Sequence, residues 1–463
     1  MSGRKVLLFL LSVYALLAAL CFLFPADGIS AGNVTLVFAG PKELAESLGC
    51  AQKSKTISPE DLLQQRKESA RRAEKERFEE YFNNNPARLY FPSDDPTLFD
   101  PFFAALDEAG TKQLRILHYG DSQIEEDRIT STLRAGLQER FGGGGPGLLP
   151  FGRPYYTMGF SQSCTADLSR AAVFGESARK SNSRYGIMGQ CARMDTSVFT
   201  TVSAVKDNKS ASRTFNRLTL LAGNISAPVN VKCGKLTQKL SASDERSGVA
   251  RLVFDLPDSS DRVRFSVWGA ADIYGVQLDD TLGVCVDNIP MRGCSGTVFT
   301  RMNSSQIREY AEQDNVRLII LQYGGNVVPY RKTGNAISEY KTSIEKQIKH
   351  LHTLAPKASI LFIGPSDMST NIKGRMQTYP HLPMLADSLK SAAVNSGAAY
   401  WDMFAAMGGE GSMAEWVKAR PQLAGNDYVH FTPRGAVAIG EMLLETIMLY
   451  YDWYRTRKYG LAE

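Results

Sequence analysis

Histidine is scarce in this chain. Only five occur in 463 residues, His118, His350, His352, His381 and His430, so proton-transfer chemistry by imidazole has few places to sit. Cysteine is sparse too: there are seven, and none form a C-x-x-C pair, which argues against zinc ribbons and thioredoxin-like redox chemistry. An excess of either charge is nearly absent. Lys and Arg number 53 and Asp and Glu 48, a formal net charge of +5, with no basic stripe interleaved with aromatics, so no nucleic-acid partner is expected. The glycine run Gly142–Gly147 lacks a following Lys-Ser/Thr, which excludes a phosphate-cradling loop of the usual kind. No internal repeat is evident.

One long apolar run exists, from Val6 to Pro25, behind Arg4 and Lys5. It approaches the ~20 residues that span a bilayer and exceeds the usual core of a cleaved signal. The basic residues in front orient the rest of the chain away from the cytoplasm. The expectation is an uncleaved anchor. A cleaved signal, with a mediocre site at Gly28-Ile29-Ser30, is the alternative. Ser58-Pro59-Glu60-Asp61 then opens a charged helical stretch reaching Asn85, which reads as a solvated stalk without the apolar heptads of a coiled coil. Cys21 lies in the apolar run. In an oxidising compartment some of Cys50, Cys164, Cys191, Cys233, Cys285 and Cys294 are free to pair, and Cys164 with Cys191 is the expected bridge.

Leu114–Tyr119 reads as a buried strand entering a Gly120-Asp121-Ser122 turn, followed by an amphipathic helix over Ile124–Phe141. Between Phe151 and Val267 the texture becomes Ser/Thr/Asn-rich with short apolar alternations, such as Val229–Cys233 and Arg262–Trp268, which predicts an all-β module, a sandwich. Near Tyr274 strands again alternate with helices. Val284–Ile289, Arg317–Gln322, Ser359–Ile363 and Ala399–Asp402 read as strands, and about Pro433–Tyr454 as the last helix. That alternation predicts a doubly wound parallel sheet. The expected divisions are 1–30 anchor, 31–93 stalk and linker, 94–148 first part of the α/β domain, 149–270 β-insert and 271–463 second part.

A serine on a turn at a strand end needs a base, and the base needs a group that fixes its tautomer. His118 lies inside a strand and His350 and His352 sit at a helix end. His381 is uninformative. His430 stands in a loop just before the last helix, with Asp427 three residues upstream. Gly296, in Met291–Thr297, and Asn326, after Tyr323-Gly324-Gly325, follow strands and offer a backbone N–H and a side-chain amide to a developing oxyanion. In a doubly wound sheet all these loops fall at the carboxyl ends of strands.

In this order, Gly120-Asp121-Ser122, Arg292–Gly296, Gly324–Asn326 and Asp427-x-x-His430 resemble the four blocks of the SGNH/GDSL hydrolases. The resemblance covers about Leu114–Phe141 and Tyr274–Tyr454. It implies a three-layer α/β/α, flavodoxin-like domain and ester hydrolysis. Ser122 would be the nucleophile, His430 the base and Asp427 its orienter, while the Ser122 N–H, Gly296 and Asn326 would form the oxyanion hole. Val327 departs from the aspartate often found in the third block. The long signature His118–Arg128 and the β-insert further resemble the peptidoglycan O-acetylesterases, whose insert is a carbohydrate-binding-module-like jelly roll.

The resemblance implies a serine esterase that removes O-acetyl groups from a cell-envelope glycan, most simply peptidoglycan. It would work without metal or organic cofactor, in the periplasm or another extracytoplasmic space, held to the inner membrane by the N-terminal helix. An O-acetyltransferase with the same triad and a non-catalytic glycan-binding envelope protein are the rival readings. Arg128 and Arg292 near the motif loops read as structural ion-pair residues before substrate-steering ones. Trp268 and Tyr274 read as packing, and Asp367 as a turn residue.

Overall fold

The computed structural model describes residues 3–25, 28–31, 34–41, 43, 59–85, 87–205 and 211–460. Cys50 and the helix-cap candidate Ser58 lie outside them. Two compact units result, Met1–Ala73 and Glu74–Glu463.

In the first unit the apolar run is one helix, Gly3–Leu23, of 21 residues. At about 1.5 Å per residue it is long enough, and apolar enough, to cross a bilayer. Ile29–Ala31 and Val34–Leu36 pair as a short antiparallel hairpin.

The second unit is built on a six-stranded sheet. Its parallel strands, in chain order, are Leu114–Gly120, Val284–Pro290, Val316–Gln322, Ser359–Ile363 and Ala399–Trp401. In space they run second, first, third, fourth, fifth, and the two-residue strand Leu89–Tyr90 closes the far edge antiparallel. This is the flavodoxin-like order, and its switch point lies between the first and third strands. Every residue of Leu114–Gly120 is buried, as a parallel strand covered on both faces requires.

The two-residue period divides the core. Leu114, Ile116, Leu318 and Ile320 face the helices Asp100–Asp107, Thr130–Phe141 and Pro433–Tyr459. Leu117, Tyr119, Ile319 and Leu321 face the helices Ser304–Gln313, Gly334–Leu354 and Leu382–Asn395. Three layers result. The last turns of the charged helix Pro59–Asn84 pack on the C-terminal helix, with the Phe78 ring stacked 4.7 Å from Trp453. The end of the expected stalk is therefore docked rather than solvated, because its rare aromatics find an apolar helix face.

Between the first and second parallel strands the chain forms a nine-stranded sheet of antiparallel pairs with its own apolar cluster. Its two longest strands, Phe215–Cys233 and Arg262–Asp279, pair along most of their length with register shifts that bend them. The second of these runs past residue 270 to Asp279. Cys164 and Cys191 lie in this sheet as free thiols on strands that do not pair with each other, so the expected bridge is absent. Burial pushes the Cys191 thiol up to about 11.

A buried polar cluster joins the two sheets. The Arg115 guanidinium, 1% exposed, pairs with Asp279 and Asp287 and lies 3.6 Å from Asp314. Tyr310 donates to Asp287 at 3.0 Å, and Gln277 donates to Asp314 at 2.8 Å. Each carboxylate gains a donor, as buried charge requires.

The predicted helix from Ile124 is shorter than its pattern suggests. Glu126 and Asp127 adopt left-handed φ of 63° and 65°, and the helix starts at Thr130.

Candidate active site

The strand Leu114–Gly120 ends level with its neighbours, Gly120 opposite Pro290 on one side and Gln322 on the other. The loops after all three strands therefore open at one height. A Cβ at Gly120 would sit 3.0 Å from the Ile124 side chain and 3.2 Å from the Gln322 carbonyl, so any larger residue would press on both neighbours. Asp121 follows, buried. One of its carboxylate oxygens accepts the Gln123 N–H at 3.0 Å, and the other accepts from Asn326 Nδ2 at 3.0 Å. Burial pushes the Asp121 carboxyl up to about 6, against the pull of the Gln123 N–H, His430 and Asn326. The next residue is Ser122, half-buried at the switch point of the sheet.

Ser122 Oγ lies 2.9 Å from His430 Nε2. The histidine is carried by a tight loop in which Gly425 N–H donates to the His430 carbonyl at 2.7 Å. Asp427 organises that loop from within. Its Oδ1 accepts the N–H groups of Val429 and His430, each at 3.0 Å, while Oδ2 is 2.7 Å from His430 Nδ1. Burial alone would raise this carboxyl, but the bonds from the His430 ring and the two N–H groups outweigh it and hold it below the usual carboxylate range. A charged acceptor at Nδ1 keeps the ring proton there and turns the Nε2 lone pair to the serine. The loop then enters the helix Pro433–Tyr459, capped by Thr432.

Gly296 and Asn326 come from the loops on either side of the Gly120-Asp121-Ser122 turn. Gly296 has φ +78°, and a Cβ there would meet the Tyr323 ring at 2.7 Å. Its N–H points at Cys294 Sγ, 3.3 Å away, a weak acceptor. Asn326 Nδ2 donates both to Asp121 and, at 3.1 Å, to the Cys294 carbonyl. Both amide hydrogens are thus engaged, and an oxyanion would draw one away. The five residues singled out in the sequence therefore converge at neighbouring strand ends, three of them in a continuous hydrogen-bonded line.

Gln123, without a role in the motif reading, and Arg128, read as a structural pairing residue, also touch this place. Gln123 Nε2 donates to the Val429 carbonyl at 2.6 Å, and Arg128 Nη2 donates to the Ser122 carbonyl at 3.2 Å. The only signal for Gln123 in sequence was proximity to the serine; Arg128 serves backbone carbonyls more than a carboxylate, a structural role of a different kind from the ion pair expected. Arg292 pairs with the buried Glu125, its Nε 2.9 Å from Oε2, as the structural reading expected. Tyr274 is buried in the core, and Asp367 accepts the Met413 N–H at 2.8 Å as the helix Ser412–Lys418 begins. His118 is buried between Gln322 and Thr130, and burial lowers it to about 4. No group of three or more metal-ligating side chains occurs among the described residues.

Residues 260–438 match the GDSL-like lipase/acylhydrolase family. That segment holds Gly296, Asn326, Asp427 and His430, while Ser122 lies before the long antiparallel sheet. No curated protein matches the chain in sequence. Among solved structures, a peptidoglycan O-acetylesterase is similar at TM-score 0.63 and 20% identity, over 80% of this chain and 99% of its own. A family two carbohydrate esterase from Cellvibrio japonicus aligns at TM-score 0.26 and 11% identity, over 64% of this chain and 98% of its own. An acetyl xylan esterase aligns at TM-score 0.26 and 14% identity, over 35% and 81%. The first of these likenesses shows the fold. Residues 260–438 thus belong to a GDSL-like lipase/acylhydrolase domain, and the chain is an esterase by that domain.

Proposed function

We propose that this protein is a serine esterase that removes O-acetyl groups from a cell-envelope glycan, peptidoglycan first. The observation that carries this reading is the line from Ser122 Oγ to His430 Nε2 at 2.9 Å and from His430 Nδ1 to Asp427 at 2.7 Å. The likeness in fold to a peptidoglycan O-acetylesterase supports the choice of glycan.

In this reading Ser122 Oγ attacks the acetyl carbonyl as His430 Nε2 takes its proton. The resulting imidazolium is stabilised by Asp427. The tetrahedral oxyanion is received by the N–H groups of Ser122 and Gly296 and by the Asn326 amide, which exchanges an internal acceptor for a charged one. Collapse breaks the bond to the sugar oxygen, and His430 returns the proton to that leaving hydroxyl. Water then adds to the acetyl-serine with His430 again as base, releasing acetate and restoring Ser122.

The exposure of the triad favours hydrolysis over transfer. The His430 and Asp427 side chains are 36% and 51% exposed, so water has ready access to an acyl-enzyme. Transfer to a second sugar would need it excluded.

We read the nine-stranded sheet, about 149–270 with the rest of its last strand, as an inserted carbohydrate-binding-type β-module of sandwich or jelly-roll kind. Its separate apolar cluster supports this. The flanking segments 94–148 and 271–463 are then the two halves of the hydrolase domain, after a stalk over 31–93. The N-terminal helix is read as an inner-membrane anchor that leaves the hydrolase on the extracytoplasmic side, supported by its length and the preceding Arg4 and Lys5.

The test is acetate release from O-acetylated peptidoglycan beside acetylated xylan, with Ser122→Ala as control. Preference for peptidoglycan, lost in the variant, is expected. Equal or better release from xylan would overturn the substrate, and release undiminished in Ser122→Ala would overturn the site.

A further inference from the structure

The base of this site is on a loop, not on a strand or helix, and its side chain is 36% exposed. A short hydrogen bond across 308 residues of sequence needs something to fix its length. The flanking Phe431 is packed, 3% exposed with its ring 5.5 Å from Trp416, which seats the loop. Two side chains next to the nucleophile tie that loop directly to the serine turn.

Gln123 is buried directly after Ser122. Its amide brackets the histidine: Nε2 donates to the Val429 carbonyl at 2.6 Å, and Oε1 accepts the Phe431 N–H at 3.5 Å. These are the two chain neighbours of His430. Arg128 links the same two loops. Its guanidinium donates from Nε to the Glu125 carbonyl at 3.0 Å, from Nη2 to the Ser122 carbonyl at 3.2 Å and from Nη1 to the Phe431 carbonyl at 3.3 Å. The nearest carboxylate oxygen, of Glu126, is 3.7 Å from Nε. An arginine side chain only 14% exposed is therefore spent chiefly on backbone carbonyls, two of which belong to the loops that bear the triad. The rigid fork of the guanidinium suits it to span several acceptors at fixed separation, which a lysine cannot do. The left-handed turn at Glu126 and Asp127 is what brings Arg128 back under the serine.

We infer that Gln123 and Arg128 are positioning residues, a two-armed clasp between the nucleophile turn and the base loop that sets the Ser122–His430 separation. This rests on the reading of Ser122 and His430 as nucleophile and base. Neither clasp residue touches the acyl group. Each acts by holding Nε2 within reach of Oγ, and a displacement of about 1 Å at such a contact lowers the rate about 100-fold.

The experiment uses the full chain and two readouts. One is the rate at which a fluorophosphonate modifies Ser122, followed by intact mass. The other is kcat and KM on p-nitrophenyl acetate. The variants are Gln123→Met, which keeps volume and removes both hydrogen bonds to the base loop together with the one to Ser366 Oγ, Arg128→Lys, and Arg128→Ala with and without added methylguanidine. Labelling rate and kcat should fall about 10- to 100-fold in each variant while KM stays within about 2-fold. Methylguanidine should restore labelling in Arg128→Ala, which a loss of general stability would not allow. Thermal unfolding identifies any variant that fails to fold, and Arg128→Lys then stands for the arginine. Labelling at the wild-type rate in folded variants, or losses confined to KM, would overturn the clasp. A wild-type protein that labels on Ser122 yet releases no acetate from glycan would sink the proposed substrate alone, and the clasp would still be judged by the labelling rates. A wild type that does not label on Ser122 would overturn both.

Discussion

The carboxylate of Asp121 and the side-chain amide of Asn326 hold each other at 3.0 Å across the switch point of the sheet. The same amide nitrogen also serves the Cys294 carbonyl at 3.1 Å. The proposed oxyanion donor is thus held in place by groups that must yield one hydrogen to the substrate. Asn326→Ala should lower kcat by about 10²- to 10³-fold with little change in KM, as removal of one oxyanion donor does. Steady-state kinetics on p-nitrophenyl acetate measure it, and a loss below 3-fold would take Asn326 out of the oxyanion hole.

Asp121 carries a consequence for stability. Its folded carboxyl titrates at about 6, above the ordinary 3.8, with burial as the main cause. Folding therefore takes up a proton between those values. The contribution is present below pH ~4 and lost as pH rises through ~6, on the order of 3 kcal/mol in all. Asp121→Asn should flatten the stability curve in that window. Urea unfolding at several pH values between 4 and 7 gives the comparison, and curves that stay parallel would refute the assignment.

For the triad, Ser122→Ala and His430→Ala should abolish ester hydrolysis while leaving the thermal midpoint nearly unchanged, since both side chains are half-buried at a loop surface. Asp427→Asn should lose up to about 10⁴-fold in kcat, because an amide cannot hold the His430 ring in the required tautomer. Asp427 also binds two backbone N–H groups of its loop, so that variant should lose some stability as well. Wild-type turnover in any of the three would be incompatible with the site.

Gly296 is held at φ +78° against the Tyr323 ring. Gly296→Ala must shift either the ring or the loop, and the N–H moves with the loop. A kcat loss of 10-fold or more is expected, with a stability loss of about 1–2 kcal/mol from the strained backbone. Equal activity in glycine and alanine forms would show that this N–H is not aimed at the reaction.

Arg115 tests the junction of the two sheets. Arg115→Met would leave Asp279, Asp287 and Asp314 in the interior without their shared cation. Breaking such a cluster by removing one partner costs about 3–5 kcal/mol. A guanidinium chloride titration should show that shift, and a change below 1 kcal/mol would mean the cluster is dispensable.

The parts of this site legible in the sequence are those whose chemistry is local. A continuous apolar run before Gly120-Asp121-Ser122 marks a buried parallel strand, and Asp427 and His430 lie close enough to meet in one loop. Strand ends are found where apolar runs stop, so Gly296 and Asn326 fall into place once the sheet is assumed. What stayed hidden depends on distant partners. Nothing around Arg115 shows that three carboxylates from 164 or more residues away will surround it. Nothing beside Gln123 announces Val429. The break at Glu126 and Asp127 is equally silent, since neither is a glycine and the apolar spacing of a helix runs through them. Cys164 and Cys191 are near in sequence, yet strand pairing, not proximity, decides which thiols meet.

The separation of Ser122 from His430 by 308 residues has a consequence in time. The proposed nucleophile is made early and its proposed base almost last, after the whole antiparallel sheet and all five parallel strands. On that reading, a chain stopped short of His430 carries an inert serine. No ester can then be cut until nearly the whole of this sequence has been made and folded.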